Sequence, residues 1–239
     1  PTPDAPYGEE TLRALTFMLS TAEQHGFAAK NLDGRVGYIE WGNGKEMLGI
    51  LCHLDVVPEG VGWTDDPFTL RMQNDRLYGR GIADDKGPAL SILMAMIRLK
   101  RAGVVPTCRV RLILGLDEEC GSSCMKHYVS TSELPTLGFT PDAEFPAIFA
   151  EKGILQVRIQ GKSSGRYFVL AGDRPNMIPG ECIITSIASE NTYHGIGIPG
   201  HASKPEHGEN VIIDAVRKMP PHEVLTEPIL KFIDTYFSN

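Results

Sequence analysis

The sequence predicts an α/β fold, a mainly parallel or mixed sheet flanked by helices, followed by a smaller segment of different pattern. Three observations lead there. Strand-like and helix-like segments alternate between Gly8 and Val129, the order expected when helices cover a sheet. Two of the strand-like segments, Met47 to Leu54 and Val110 to Leu116, are largely apolar runs of the kind found in buried strands. After Lys152 the pattern changes, with a flexible link and later helices.

Gly8 to His25 reads as an amphipathic helix, because Leu12, Leu15, Leu19 and Ala22 recur at helical spacing and Gly26 supplies a stop. Val36 to Trp41 and Met47 to Leu54 read as strands joined by the turn Gly42-Asn43-Gly44. Phe68 to Met72 and Arg76 to Tyr78 flank a second turn at Gln73-Asn74-Asp75. A long helix is expected from Pro88 to Ala102, with proline near its start and Gly103 just past its end. The strand Val110 to Leu116 and a short helix from about Ser122 to Val129 follow. Further on, Ile154 to Gln160 is expected to be a strand, Gly161 to Gly165 a link, and Val211 to Met219 and Ile229 to Phe237 helices. This places a domain boundary between residues 155 and 156. No internal repeat or low-complexity tract is evident.

The bulk properties exclude some function classes. At 239 residues and 42% hydrophobic composition the chain can bury a core in one large domain or two small ones. A net charge of −7 argues against nucleic acid or anionic membrane as partner. No apolar run approaches the ~18 residues of a membrane span, and the acidic, proline-rich Pro1 to Glu10 lacks the pattern of a signal peptide. The five cysteines, an odd number without a repeating spacing, suit free thiols in a reducing compartment, so a cytoplasmic location is expected.

Four acidic motifs follow strand-like or loop segments. His53 and Asp55 stand two apart at the end of a buried strand, so both side chains share one face. A metal-binding histidine usually gives its other ring N–H to a carboxylate or carbonyl, which Asp55 could accept; taken alone, the pair equally fits a polar strand end. Asp84 and Asp85 lie in the glycine-rich loop Gly79 to Gly87 between a strand and a helix, where ligands bind in α/β sheets. A carboxylate there can bridge two cations. Asp117, Glu118 and Glu119 follow Leu116, shortly after the apolar run Leu112-Ile113-Leu114; like charges at a buried strand end are costly unless a cation neutralises them. Asp142 lies in the tight loop Thr140 to Pro146, which alone is ordinary turn chemistry. Asn176 and His201 lie in two further polar loops.

In combination these segments resemble the dinuclear zinc peptidases that include aminoacylase, glutamate carboxypeptidase, succinyl-diaminopimelate desuccinylase and the bacterial dipeptidase V, an Xaa-His dipeptidase. The matching signatures are H-x-D-V-V-P from His53, G-R-G-x-x-D-D-K-G-P from Gly79, D-E-E-x-G-S from Asp117, P-D-A-E-F-P from Pro141, R-P-N-M-I-P from Arg174 and G-H-A-S-x-P from Gly200. The last three look most like the dipeptidase V branch. The resemblance implies a zinc-peptidase catalytic domain over residues 1–155 and part of an α+β lid domain over residues 156–239. It implies two zinc ions per complete site. His53 and Asp142 would hold one, Glu119 the other, and Asp84 would bridge them through a cis Asp84–Asp85 peptide. Glu118 would be the general base for a zinc-activated water, Asp55 the partner of His53, and Asn176 and His201 substrate-binding groups, with His201 polarising the scissile carbonyl. The expected reaction is dipeptide hydrolysis, with deacylation of N-acyl amino acids as the alternative and a non-catalytic metal-binding remnant as a third reading.

The family pattern also includes a final zinc-binding histidine after the lid. His25, His127, His194, His207 and His222 match no such motif, and the stretch from Asn176 to His201 is short for the lid strands expected there. The chain is therefore expected to be truncated relative to that pattern and, by itself, inactive.

Overall fold

The computed structural model describes residues 1–60, 62–143, 146–150, 152, 153, 155, 157, 158, 160, 164–172 and 176–237. The chain divides into two compact units, Pro1–Phe149 and Ala150–Asn239.

The first unit is α/β. In chain order it contains α1 (Glu9–Gln24), β1 (Ala28–Leu32), β2 (Val36–Trp41), β3 (Met47–His53), β4 (Arg71–Gln73), β5 (Arg76–Tyr78), α2 (Lys86–Arg101), β6 (Arg109–Gly115), α3 (Ser123–Thr131) and β7 (Leu137–Phe139). Among the described residues five strands form one mixed sheet in the order β1-β2-β6-β3-β7. The pairs β1–β2 and β2–β6 are antiparallel, whereas β6–β3 and β3–β7 are parallel. A parallel neighbour requires a long crossover, here the segment carrying α2 between β3 and β6.

Alternation along β6 sorts the core onto the two sheet faces. Leu112 and Leu114 pack with Ile39, Ile50 and Cys52 against Leu15 and Met18 of α1 and Leu93 and Met96 of α2. Ile113, between them, packs with Val36 against Cys124 and Tyr128 of α3. Side chains at period two in strands and at three- and four-residue spacing in helices make these layers meet. The hairpin β4–β5 turns through Asn74 and Asp75 at φ 52 and 59. These two side chains tolerate the left-handed region that a two-residue hairpin requires.

Arg111 is a charged residue buried within this core, 5% exposed on the α3 side of β6. Its Nε donates to Glu40 Oε2 at 2.6 Å, and its Nη1 donates to Tyr128 Oη at 3.0 Å and to the Glu133 carbonyl at 3.2 Å. The guanidinium also stacks over Tyr38, 4.2 Å from the ring centroid.

The second unit contains β8 (Tyr167–Ala171), β9 (Met177–Ile178), β10 (Glu181–Ser186), β11 (Thr192–Ile196), β12 (Gly200–His201), α4 (Val211–Arg217), α5 (Pro221–Thr226) and α6 (Pro228–Phe237). Among the described residues β11-β10-β8 form an antiparallel sheet, and β12 pairs with β9. Cys182 and Ile184 of β10 pack on Val211, Ala215 and Val216 of α4 and on Val224 and Leu230 beyond it. Gly195 allows α4 this approach, since a Cβ there would lie 1.9 Å from the Val211 carbonyl oxygen.

The elements differ from the sequence reading in several places. Strands β1, β7, β8, β9, β10, β11 and β12 and helix α5 were not foreseen, and of the expected strand Phe68 to Met72 only Arg71 and Met72 are in a strand, β4. Of the expected strand Ile154 to Gln160, residues Ile154, Gln156 and Ile159 lie outside the described residues, and the others form no strand. Gly161, Lys162 and Ser163 of the expected link also lie outside them. No helix of the described residues is long and apolar enough to cross a membrane.

Candidate metal centre

The parallel strands bring the acidic motifs to one edge. His53 ends β3 opposite Gly115, which ends β6, so the loop carrying Glu118 and Glu119 leaves beside His53. Phe139 of β7 pairs with Ile50, so three residues further on Asp142 comes level with His53. Asp84 enters from the loop preceding α2. The carboxyl edge of parallel strands is where α/β folds place ligands.

His53, Asp84 and Asp142 each direct one donor atom into a common space, all within 4.8 Å of one another. His53 Nε2 lies 2.8 Å from Asp84 Oδ1 and 3.4 Å from Asp142 Oδ2. The imidazole side chain is 3% exposed, whereas the Asp84 carboxylate is 55% exposed and faces solvent. The other ring nitrogen, Nδ1, lies 3.0 Å from the Asp55 carbonyl oxygen and 3.3 Å from Asp55 Oδ1. An Nδ1–H donated to these oxygens leaves Nε2 free as a metal ligand.

Asp55 does more than orient the ring. Its buried carboxylate accepts the backbone N–H of Glu118 on Oδ1 and that of Glu119 on Oδ2, both at 3.1 Å. One side chain thus fixes the histidine and the turn that presents the two glutamates. Asp117 braces the same turn from the other side. Its Oδ2 accepts the Ser123 N–H at 3.0 Å, and its carbonyl accepts the Ser122 N–H at 2.7 Å. Sequence reasoning noted Asp117 only as one of three acids. A carboxylate six residues ahead of a serine at a helix start was the available signal.

The loop that delivers Asp84 depends on its glycines. Gly81 sits at φ 86, open to glycine without strain. A Cβ on Gly87 would lie 2.0 Å from the Ile82 carbonyl oxygen. The Asp84–Asp85 peptide bond is cis, as the resemblance implies.

Electrostatics show how strongly the cluster concentrates negative charge. Burial pulls the His53 imidazolium down, but hydrogen bonding to Asp55 and the charges of Asp55, Asp142 and Asp84 together raise it to about 10. Burial, then the charge of Asp84, raises Asp142. Burial raises Glu118 and Glu119 too, reinforced by neighbouring carboxylates and opposed by His53. Asp55 moves the other way, because the hydrogen bonds from His53 and the Glu118 and Glu119 amides outweigh its burial. Glu119 Oε1 is buried without a hydrogen-bond partner, the kind of atom that calls for an explanation such as an ion.

In the second unit the structure brings Asn176 and His201 together. His201 pairs with Met177, and the Ala202 N–H donates to the Asn176 carbonyl at 2.8 Å. Both side chains are exposed. His201 Nδ1 lies 2.7 Å from Ser203 Oγ. Of the other motif residues, Glu144, Phe145, Arg174 and Pro175 lie outside the described residues.

Comparison with known proteins places the chain in a family. Residues 49–237 match the model of peptidase family M20/M25/M40. The "Putative dipeptidase YtjP" of Bacillus subtilis is 43% identical over 187 residues, covering 78% of this chain and 38% of that protein. The similarly named SSP1012 of Staphylococcus saprophyticus is 41% identical over 196 residues, covering 78% of this chain and 42% of that protein. The chain thus spans about two fifths of the length of these relatives. A solved M20 family metallo-carboxypeptidase, Sso-CP2 of Sulfolobus solfataricus, matches with a TM-score of 0.49 at 27% identity over 58% of this chain and 34% of its own. The family model covers most of the sequence, including all four acidic motifs, and the chain belongs to peptidase family M20/M25/M40.

Proposed function

We propose that this chain carries the metal-binding half of a dipeptide hydrolase active site, with zinc as the metal. The observation that carries the reading is the convergence of His53, Asp84 and Asp142 from three separate segments within 4.8 Å. The donor set fits a divalent cation. An imidazole nitrogen and two carboxylates are ordinary zinc ligands, and the raised carboxyls of Asp142, Glu118 and Glu119 mark charge that a cation would neutralise. His53, Asp84 and Asp142 would hold one ion, and Asp84 and Glu119 would serve a second. When bound, the metal supplies Lewis acidity and a water whose pKa falls to about 7.

Glu118 acts beside these ligands as general base. Its carboxylate takes a proton from the attacking water and returns it to the leaving amine nitrogen. Asp55 keeps the proton on Nδ1 of His53 and holds the Glu118 and Glu119 amides. The second unit serves as part of a lid, where Asn176 and His201 bind the substrate and His201 donates a hydrogen bond to the scissile carbonyl oxygen. Dipeptides rank ahead of N-acyl amino acids as substrates because relatives at 43% and 41% identity carry dipeptidase names.

The full-length protein that contains this chain is expected to hydrolyse dipeptides, to stop when treated with chelator and to recover with zinc. Metal-loaded protein that leaves a dipeptide panel intact, or hydrolysis indifferent to chelator, would overturn the proposal.

A further inference from the structure

We infer that Asp85, which the proposed chemistry does not use, is a positioning residue that sets the separation of His53 from Asp84. The inference rests on the metal-site reading above. Asp85 follows Asp84 directly in the chain, so its backbone fixes where the Asp84 carboxylate starts. It is fully buried, and its Oδ2 accepts the backbone N–H of His53 at 3.0 Å.

That N–H needs such a partner. Leu54 N–H donates to Gly115 of β6. Successive amides of a strand point to opposite edges, so the His53 N–H points to the β7 side. There the ladder ends at Ile50 and Phe139, and among the described residues no strand pairs with His53 on that side. Asp85 fills this position from the loop. Its carbonyl meanwhile accepts the Ala89 N–H at 2.9 Å, anchoring the residue to the first turn of α2. One residue therefore ties the end of β3, the loop of Asp84 and the start of α2 into a rigid triangle. The 2.8 Å approach of His53 Nε2 to Asp84 Oδ1 lies across it.

A carboxylate with no exposure is costly unless its oxygens are satisfied, and Asp85 Oδ1 has no hydrogen-bond partner. The contacts that the Asp85 side chain does make are both at the end of β3, with the amide of the ligand histidine and with the thiol of Cys52 just before it. Packing alone would be served as well by an apolar side chain of similar volume, whereas holding His53 requires an acceptor.

The test is zinc affinity, measured in the full-length protein by competition with a chromophoric chelator. Asp85→Asn keeps an oxygen facing His53, and its affinity is expected to stay within a few fold of the parent. Asp85→Leu keeps the volume without the acceptor and is expected to bind zinc roughly 10–100-fold more weakly, as is usual when a partner that orients a ligand is lost. Asp85→Ser, too short to reach the amide, replaces it if the leucine protein does not fold. Arg111→Ala serves as control, since it loosens the fold from the α3 face and is expected to leave zinc affinity unchanged. Parental zinc affinity in folded Asp85→Leu or Asp85→Ser, or equal losses in the asparagine and leucine variants, would overturn the inference. A parent that binds zinc but cleaves no dipeptide would sink the hydrolase proposal and leave this inference standing.

Discussion

In the full-length protein, Glu118→Ala is expected to lower dipeptide turnover by roughly 10²–10⁴-fold, the usual worth of a general base, while metal content stays at the parental level. Glu119→Ala is expected to lose metal and activity together. The two residues are adjacent, and Asp55 holds both of their amides, so neither substitution disturbs the other's backbone anchor. What differs is the work of each carboxylate. Adjacent side chains diverge, so one can move a proton while the other neutralises a cation. Glu119 Oε1 is buried and unpaired, as suits an atom awaiting an ion. Metal analysis beside steady-state kinetics of both variants checks the assignment. Loss of metal from Glu118→Ala, or retained metal with activity in Glu119→Ala, would reverse the two roles.

Arg111→Ala is expected to destabilise the first unit by about 3 kcal/mol, the lower part of the range for breaking a buried ion pair. The loss strands the Glu40 carboxylate, removes a donor from Tyr128 Oη and strips a cation from the Tyr38 ring. The lower part of the range applies because Glu40 retains 20% exposure and Arg109 lies 3.8 Å away as a residual partner. Urea unfolding monitored by circular dichroism should show a lower midpoint at unchanged slope. An unchanged midpoint would mean that the network contributes nothing net.

The parts of the fold legible in the sequence were those with strong local patterns. Val36 to Trp41 was read at its observed bounds, and α1, β3, α2, β6 and α3 within a few residues. These elements bury a full face or stripe, which writes a period of two or of 3.6 into the chain. The elements missed lack that signature. β1 reads Ala-Ala-Lys-Asn-Leu at a sheet edge, with only Leu32 buried, and β7 is three exposed residues held by its pairing with β3. β8 runs Tyr-Phe-Val-Leu-Ala with little alternation, so its place is set by the partner β10 rather than by its own pattern.

For the site, the sequence showed which acids stand beside glycines and strand ends, and the resemblance supplied their roles. Neither revealed that the Asp55 carboxylate reaches two amides more than sixty residues away, nor that Asp85 caps the end of β3. Those contacts depend on the β3–β6 register, a long-range property. Arg111 likewise gave no sign of its role, because Glu40, Tyr128 and Glu133 come from other elements.

The central claim is that His53, Asp84 and Asp142 form one tight zinc site within this chain. The direct measurement is elemental analysis of the 239-residue polypeptide after loading with zinc and exhaustive dialysis, beside its His53→Ala variant. The three-donor site is complete, whereas Glu119 is joined in this chain by no histidine with the expected motif. The parent should therefore keep about one equivalent of zinc, and any second should be lost far more readily. His53→Ala should keep none. Two equally tight equivalents in the parent, or one that survives His53→Ala, would contradict the assignment.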